Sequence, residues 1–209
     1  EAGLTGSPGV GGGLVVVGGR NGEVVAMDAE TGAKRWSTKV TSEVLSAPMV
    51  GEGVVVVRAN DGRVFGLSLA EGQRKWVFDR GLPTLSVRGN SSPLGAGGLV
   101  FIGYDDGSLV ALRESDGLRV WEQAVAEPDG RTELARMADI DGELMLDGDT
   151  LFAVSYHDKV VALSAANGQP LWTHDLGGWS GVALTSDKVV LTDKSGNIWA
   201  LDRSTGDSR

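Results

Sequence analysis

GEVVAMDAETGAKRW, residues 22–36, returns as GRVFGLSLAEGQRKW at 62–76, as GSLVALRESDGLRVW at 107–121 and as DKVVALSAANGQPLW at 158–172. A fifth copy, GNIWALDRSTGDSR, begins at 196. The turn glycines Gly32, Gly72, Gly117, Gly168 and Gly206 are 40, 45, 51 and 38 residues apart, and in four copies a tryptophan (Trp36, Trp76, Trp121, Trp172) follows four positions later. Self-similarity at such a period is the mark of a repeat architecture, in which each unit buries its faces only against its neighbours.

The upstream half of each unit repeats too. Pro8, Pro48 and Pro93 stand fourteen residues before Gly22, Gly62 and Gly107, and Leu144 and Val182 hold the matching places later. A Gly- or Asp-rich turn follows, then a β-branched run such as Val54-Val55-Val56-Val57. Short runs of this kind between turns are strands, and unbroken apolarity predicts burial on both faces. Each unit therefore reads as four short strands, and radially stacked four-stranded units of about 40 residues predict an all-β propeller. The expected blades are 4–40, 44–80, 85–126, 139–176 and an incomplete 179–209, one partial propeller over 1–209. Helical periodicity is absent except around 131–138. The four tryptophans are expected to plug between adjacent outer strands, filling gaps left by Gly and Ala.

Composition excludes much else. The 209 residues carry 32 Gly, no Cys and a net charge of −9. Without Cys there is no disulfide, zinc ribbon, iron–sulfur site or thiol nucleophile. The acidic balance argues against nucleic acid, which needs clustered cations, and no run of 18 apolar residues offers a membrane span. His157 and His174 lie 17 apart and make no zinc pair, no Gly-Lys dipeptide opens a phosphate loop, and Gly178-Trp179-Ser180-Gly181 breaks the nucleophile-elbow spacing. Asp139-Ile140-Asp141-Gly142-Glu143 alternates carboxylates but lacks the turn Gly and distal Glu of an EF-hand. Asn90-Ser91-Ser92 reads as a chance glycosylation match.

No tryptophan precedes an Asp, so the WD40 pattern is missing. The unit A-[LM]-[DSR]-x-x-[TSN]-G-x-x-x-W resembles the tryptophan-docking repeat of pyrroloquinoline-quinone-type propellers over nearly the whole chain. Two linkers, LPTLSVRGNSSP at 82–93 and TELARMADID at 132–141, resemble segments of the BamB family of the bacterial β-barrel assembly machinery. That resemblance implies an eight-bladed, non-catalytic ring on the periplasmic side of the outer membrane, without cofactor, held by a lipid anchor outside this chain. It implies docking on the POTRA domains of BamA, with nascent outer-membrane proteins as a further class of partner. It assigns partner binding to Leu85, Val87 and Arg88 and to Asp139 and Asp141; Val87 is smaller than the Leu expected there.

Topology independently puts both linkers on one rim, because the connection leaving each outer strand emerges on the same face. The second-to-third turns, including Asn60-Asp61-Gly62, Tyr104-Asp105-Asp106 and Tyr156-His157-Asp158, open there too. The expected surface has aromatics, acids, two aliphatic side chains and one isolated Arg. Two readings of Arg88 stand side by side: a planar fork for a partner carboxylate, or an internal pair with Asp139 or Asp141. The reading from another class is a quinone-dependent dehydrogenase fragment, which shares the repeat; the vicinal disulfide many such enzymes stack on the quinone cannot form here.

Overall fold

The computed structural model describes residues 3, 5–80, 91–125, 140, 143–155, 159–176, 178, 181–193 and 195–208. These form five antiparallel sheets, and none of them is helical. The first sheet is β1 (Gly9–Gly11), β2 (Leu14–Gly18), β3 (Glu23–Asp28) and β4 (Lys34–Lys39). The second is β5 (Met49–Val50), β6 (Val54–Arg58), β7 (Val64–Ser68) and β8 (Arg74–Phe78). The third is β9 (Leu94–Ala96), β10 (Leu99–Gly103), β11 (Ser108–Arg113) and β12 (Arg119–Ala124). The fourth is β13 (Met145–Asp147), β14 (Thr150–Val154), β15 (Lys159–Ser164) and β16 (Pro170–Asp175). The fifth has three strands, β17 (Ala183–Leu184), β18 (Lys188–Thr192) and β19 (Ile198–Asp202). The chain has the all-β propeller fold of up-and-down four-stranded blades. The segment 131–138, where helical periodicity showed, lies outside the described residues.

Two compact units divide the chain, Glu1–Val100 with Leu112–Arg119, and Phe101–Ala111 with Val120–Arg209. In the first, Leu14, Val16, Val24, Val55, Val57, Phe65 and Leu67 form one core shared by the first two sheets. In the second, Phe152, Val160, Ala162, Val189, Leu191 and Leu201 do the same for the last two. Val54 to Val57 are at most 2% exposed, as an unbroken apolar run requires of a strand covered on both faces. The outer strands β4, β8, β12 and β16 instead bury little besides their tryptophan.

Register explains the small residue in each third strand. Ala26 faces Trp36, Gly66 faces Trp76 and Ala162 faces Trp172. A β-carbon at Gly66 would overlap the Trp76 ring. Just beyond each pair the register shifts, leaving Arg35, Lys75 and Leu171 as the extra residue of a bulge. Bulges of this kind bend an edge strand away from pairing with another chain.

The tryptophans tie each sheet to the next. The indole N–H of Trp36 donates to the Leu69 carbonyl at 2.8 Å, and Trp76 donates to that of Glu114 at 2.9 Å. Trp121 and Trp172 donate to Ala165 and Arg203, each at 2.9 Å. Gly72, Gly117, Gly168 and Gly206 lie under these rings, where a β-carbon would overlap the indole, and all four have φ between 70° and 75°. Glycine is thus required twice over, for the left-handed backbone and for the close approach.

Candidate functional site

Successive strands of a blade alternate in direction, so the second-to-third turn and the linker to the next sheet leave from one end. The other two turns leave from the opposite end. Each linker is seated on the last residue of a second strand. From the first to the second sheet, Val44 is fully buried, donates its N–H to the Gly19 carbonyl at 3.1 Å, and packs where a β-carbon of Gly18 would stand. From the third to the fourth, Ile140 is 1% exposed, donates to the Tyr104 carbonyl at 3.4 Å, and packs in the same way on Gly103. Gly178 donates to the Ser155 carbonyl at 3.4 Å in the linker to the fifth sheet.

The second sheet departs from this pattern. Its second strand ends in Arg58, buried at 7% exposure, whose Nη1 donates to Ser91 Oγ at 2.8 Å and to the Ser91 carbonyl at 3.4 Å. Ser92 Oγ accepts the Ala47 N–H at 3.1 Å. The segment leading to these serines, 81–90, contains Leu85, Val87 and Arg88 and lies outside the described residues; so do Asp139 and Asp141, on either side of Ile140. The structure therefore describes the seats of both candidate segments and not the arrangement of the five side chains.

Around the first seat the rim is ordered by polar pairs. The Asn60 N–H donates to the Glu43 carbonyl at 2.8 Å and its Nδ2 to Glu43 Oε1 at 3.0 Å. Arg63 bridges Asp79 at 2.8 Å and Asp61 at 3.0 Å. The Asp79 carboxylate, followed by Asp61, holds the Arg63 guanidinium above its ordinary pKa. One expectation needs correction: Tyr104, placed on the rim by its turn, is 5% exposed and belongs to the interior. Tyr156 and His157 lie outside the described residues. Among the described residues no group of three His, Cys, Asp or Glu side chains could hold a metal ion.

At the opposite end, a position that sequence reading passed over separates the sheets. Leu69, Glu114, Ala165 and Arg203 each follow the first residue of a third-to-fourth turn, and their carbonyls are the tryptophan acceptors. Their side chains differ sharply. Leu69 faces Gly12; Arg203 pairs with Asp147, with its guanidinium 5.9 Å from the Phe152 ring centre. Glu114 occupies the space a β-carbon of Gly51 would need, beside a cleft of about 690 Å³ that Glu52, Lys75 and Arg113 also line. Burial, and next to it the neighbouring Glu52 carboxylate, raise the pKa of Glu114 against the opposing effects of the Glu52 N–H and Lys75. The signal in sequence was an acidic side chain at a place where three other copies carry Ala29, Leu69 and Ala165 and the fifth carries Arg203.

The model of the family described as outer membrane protein assembly factor BamB matches residues 1–209. The chain is 55% identical, over 203 residues, to the outer membrane protein assembly factor BamB of Xanthomonas campestris pv. campestris; the match covers 97% of this chain and 50% of that protein. The crystal structure of BamB from Moraxella catarrhalis superposes with a TM-score of 0.91 at 31% identity, covering 98% of this chain and 63% of that one. Quinohemoprotein alcohol dehydrogenase from Comamonas testosteroni superposes with a TM-score of 0.79 over 100% of this chain and 42% of the enzyme, but at 18% identity, a likeness of fold alone. The chain spans about half the length of the curated relatives it matches end to end.

Proposed function

Because the chain belongs to the family of outer membrane protein assembly factor BamB, we propose that the protein containing it is a non-enzymatic scaffold of outer-membrane protein assembly. It acts on the periplasmic side of that membrane as an eight-bladed ring held by a lipid anchor. Its linker-bearing end docks on the POTRA domains of BamA through Leu85, Val87 and Arg88 and through Asp139 and Asp141.

The observation that supports this reading most is the way the linkers are mounted. Val44 and Ile140 are as buried as the strand cores, and Arg58, Ser91 and Ser92 tie the exit of 81–90 to the second sheet. Recognition loops on a rigid scaffold lose little freedom on binding, so more of the contact energy appears as affinity. Arg88 supplies the central anchor, its guanidinium meeting a partner carboxylate by two hydrogen bonds while Leu85 and Val87 exclude water.

The test is Arg88→Glu in the full-length protein, with affinity for the isolated POTRA domains of BamA read by calorimetry. The expected loss is about 2 kcal/mol or more, the range of interface hot spots. Capture equal to wild type, with the fold intact by circular dichroism, refutes the assignment.

A further inference from the structure

We propose that Glu43, in the linker from the first sheet to the second, is a further contact residue of the docking end and receives a lysine ammonium of the POTRA domains. The proposal rests on the reading of the linker-bearing end as the docking surface. It extends that reading to a linker that carries none of the five candidate residues.

The repeat places Glu43 where it places two of the candidates. Counted back from the start of the following unit, Glu43 stands five residues before Pro48, as Arg88 stands five before Pro93 and Asp139 five before Leu144. All three carry a charge, and Glu43 is the one whose surroundings the structure describes. The next residue, Val44, is fully buried and donates its N–H to the Gly19 carbonyl at 3.1 Å, which holds the linker to the first sheet. The turn between β6 and β7 grips Glu43 itself. Asn60 donates its N–H to the Glu43 carbonyl at 2.8 Å and its Nδ2 to Glu43 Oε1 at 3.0 Å. Main chain and carboxylate are thus both fixed by one residue of the next sheet.

The half-buried side chain is oriented without being neutralised. Among the described residues none forms an ion pair with Glu43 or donates to its Oε2. The cations on either side of Asn60 in sequence are committed elsewhere, Arg58 to Ser91 at 2.8 Å and Arg63 to Asp79 at 2.8 Å and Asp61 at 3.0 Å. A carboxylate that offers one oxygen suits the point charge of an ammonium better than the two-pronged guanidinium, which needs both. Because the bond to Asn60 already exists in the free protein, Glu43 has little side-chain freedom left to lose on binding.

Glu43→Gln keeps an acceptor for Asn60 and removes the charge. In the full-length protein it should leave the melting temperature near wild type and weaken binding to the isolated POTRA domains about fivefold, the upper end for a solvent-accessible ion pair. The loss should lie mainly in the association rate and shrink as salt rises. Glu30→Gln removes the same charge in the turn between β3 and β4, at the opposite end, and should bind as wild type. Carbodiimide joins a carboxylate to an amine in contact with it, so treatment of the complex should link Glu43 to a POTRA lysine. Wild-type affinity of Glu43→Gln, an equal loss in Glu30→Gln, or no cross-link through Glu43 overturns the proposal. The result is separable from that for Arg88. If Arg88→Glu binds normally while Glu43→Gln weakens binding and Glu43 cross-links, the Glu43 contact stands and the assignment of Arg88 has failed.

Discussion

Two seams in the same compact unit, one between the first and second sheets and one between the second and third, are built from the same backbone and filled with opposite chemistry. In both, an indole N–H donates to a turn carbonyl, Trp36 to Leu69 and Trp76 to Glu114, and a glycine lies flat under the ring. The side chain on that acceptor residue is Leu69 against Gly12 in one seam and Glu114 against Gly51 in the other. Leu69 is partly buried against the shared core. Glu114 Oε1 is buried, and no described residue donates a hydrogen bond to it. The repeat thus constrains the parts that hold sheets together and leaves the intervening side chain free to vary, down to a carboxylate that resists burial.

If the shared half is what holds the seams, damage to it should cost the same in both. Gly72→Ala and Gly117→Ala force a β-carbon into an indole at φ of 70° and 71°, and each should lose about 3 kcal/mol in denaturant unfolding. Gly32→Ala pays for the same backbone region (φ 69°) with nothing within 4 Å, so about 1–2 kcal/mol is expected. Equal losses at all three positions would show that packing under the ring contributes nothing.

The varying half gives a smaller effect with a characteristic pH dependence. Glu114→Leu copies the Leu69 seam and should stabilise the protein by about 1 kcal/mol at neutral pH, by removing an unsatisfied buried acceptor. In the wild type the folded state holds the Glu114 proton more tightly than the unfolded state, since its pKa is raised above the ordinary 4.5. The penalty is therefore full above the raised value and fades as pH falls through it towards 4.5. Asp28 and Asp193 work in the other direction. Their pKa values fall to about 2, Asp28 through hydrogen bonds from Thr31 and Asp193 through those from Trp199 and Asn197. Their stabilisation is present above the ordinary 3.8 and lost as pH falls towards 2. Melting temperature should accordingly rise from neutral to mildly acidic pH and then fall, and Glu114→Leu should abolish only the rise.

Much of this was legible in sequence because a repeat states its constraints several times. Gly32 to Trp36, Gly72 to Trp76 and their copies set strand, turn and plug together, and Val54 to Val57 announced burial on both faces. Tyr104 departs from expectation because the position of a turn does not decide the exposure of its side chains, and this one is buried. Glu114 and Arg58 were missed for a common reason: each is defined by a partner far away in sequence. Gly51 is 63 residues from Glu114 and Ser91 is 33 from Arg58, and neither pairing leaves a periodic trace. Arg58 did interrupt a valine run, which marks a position without naming its partner. Of the five candidate contact residues, Leu85, Val87, Arg88, Asp139 and Asp141, blade topology predicts a shared rim, while their individual roles come from family resemblance.

The central claim, that the linker-bearing end is the docking surface, is tested most directly by an amide-exchange footprint of the full-length protein with and without the POTRA domains of BamA. Slowed exchange at 81–92 and 139–142, with the tryptophan-accepting turns at 69–72, 114–117 and 203–206 unchanged, is the predicted result. Protection at those turns with none at the two linkers would contradict it.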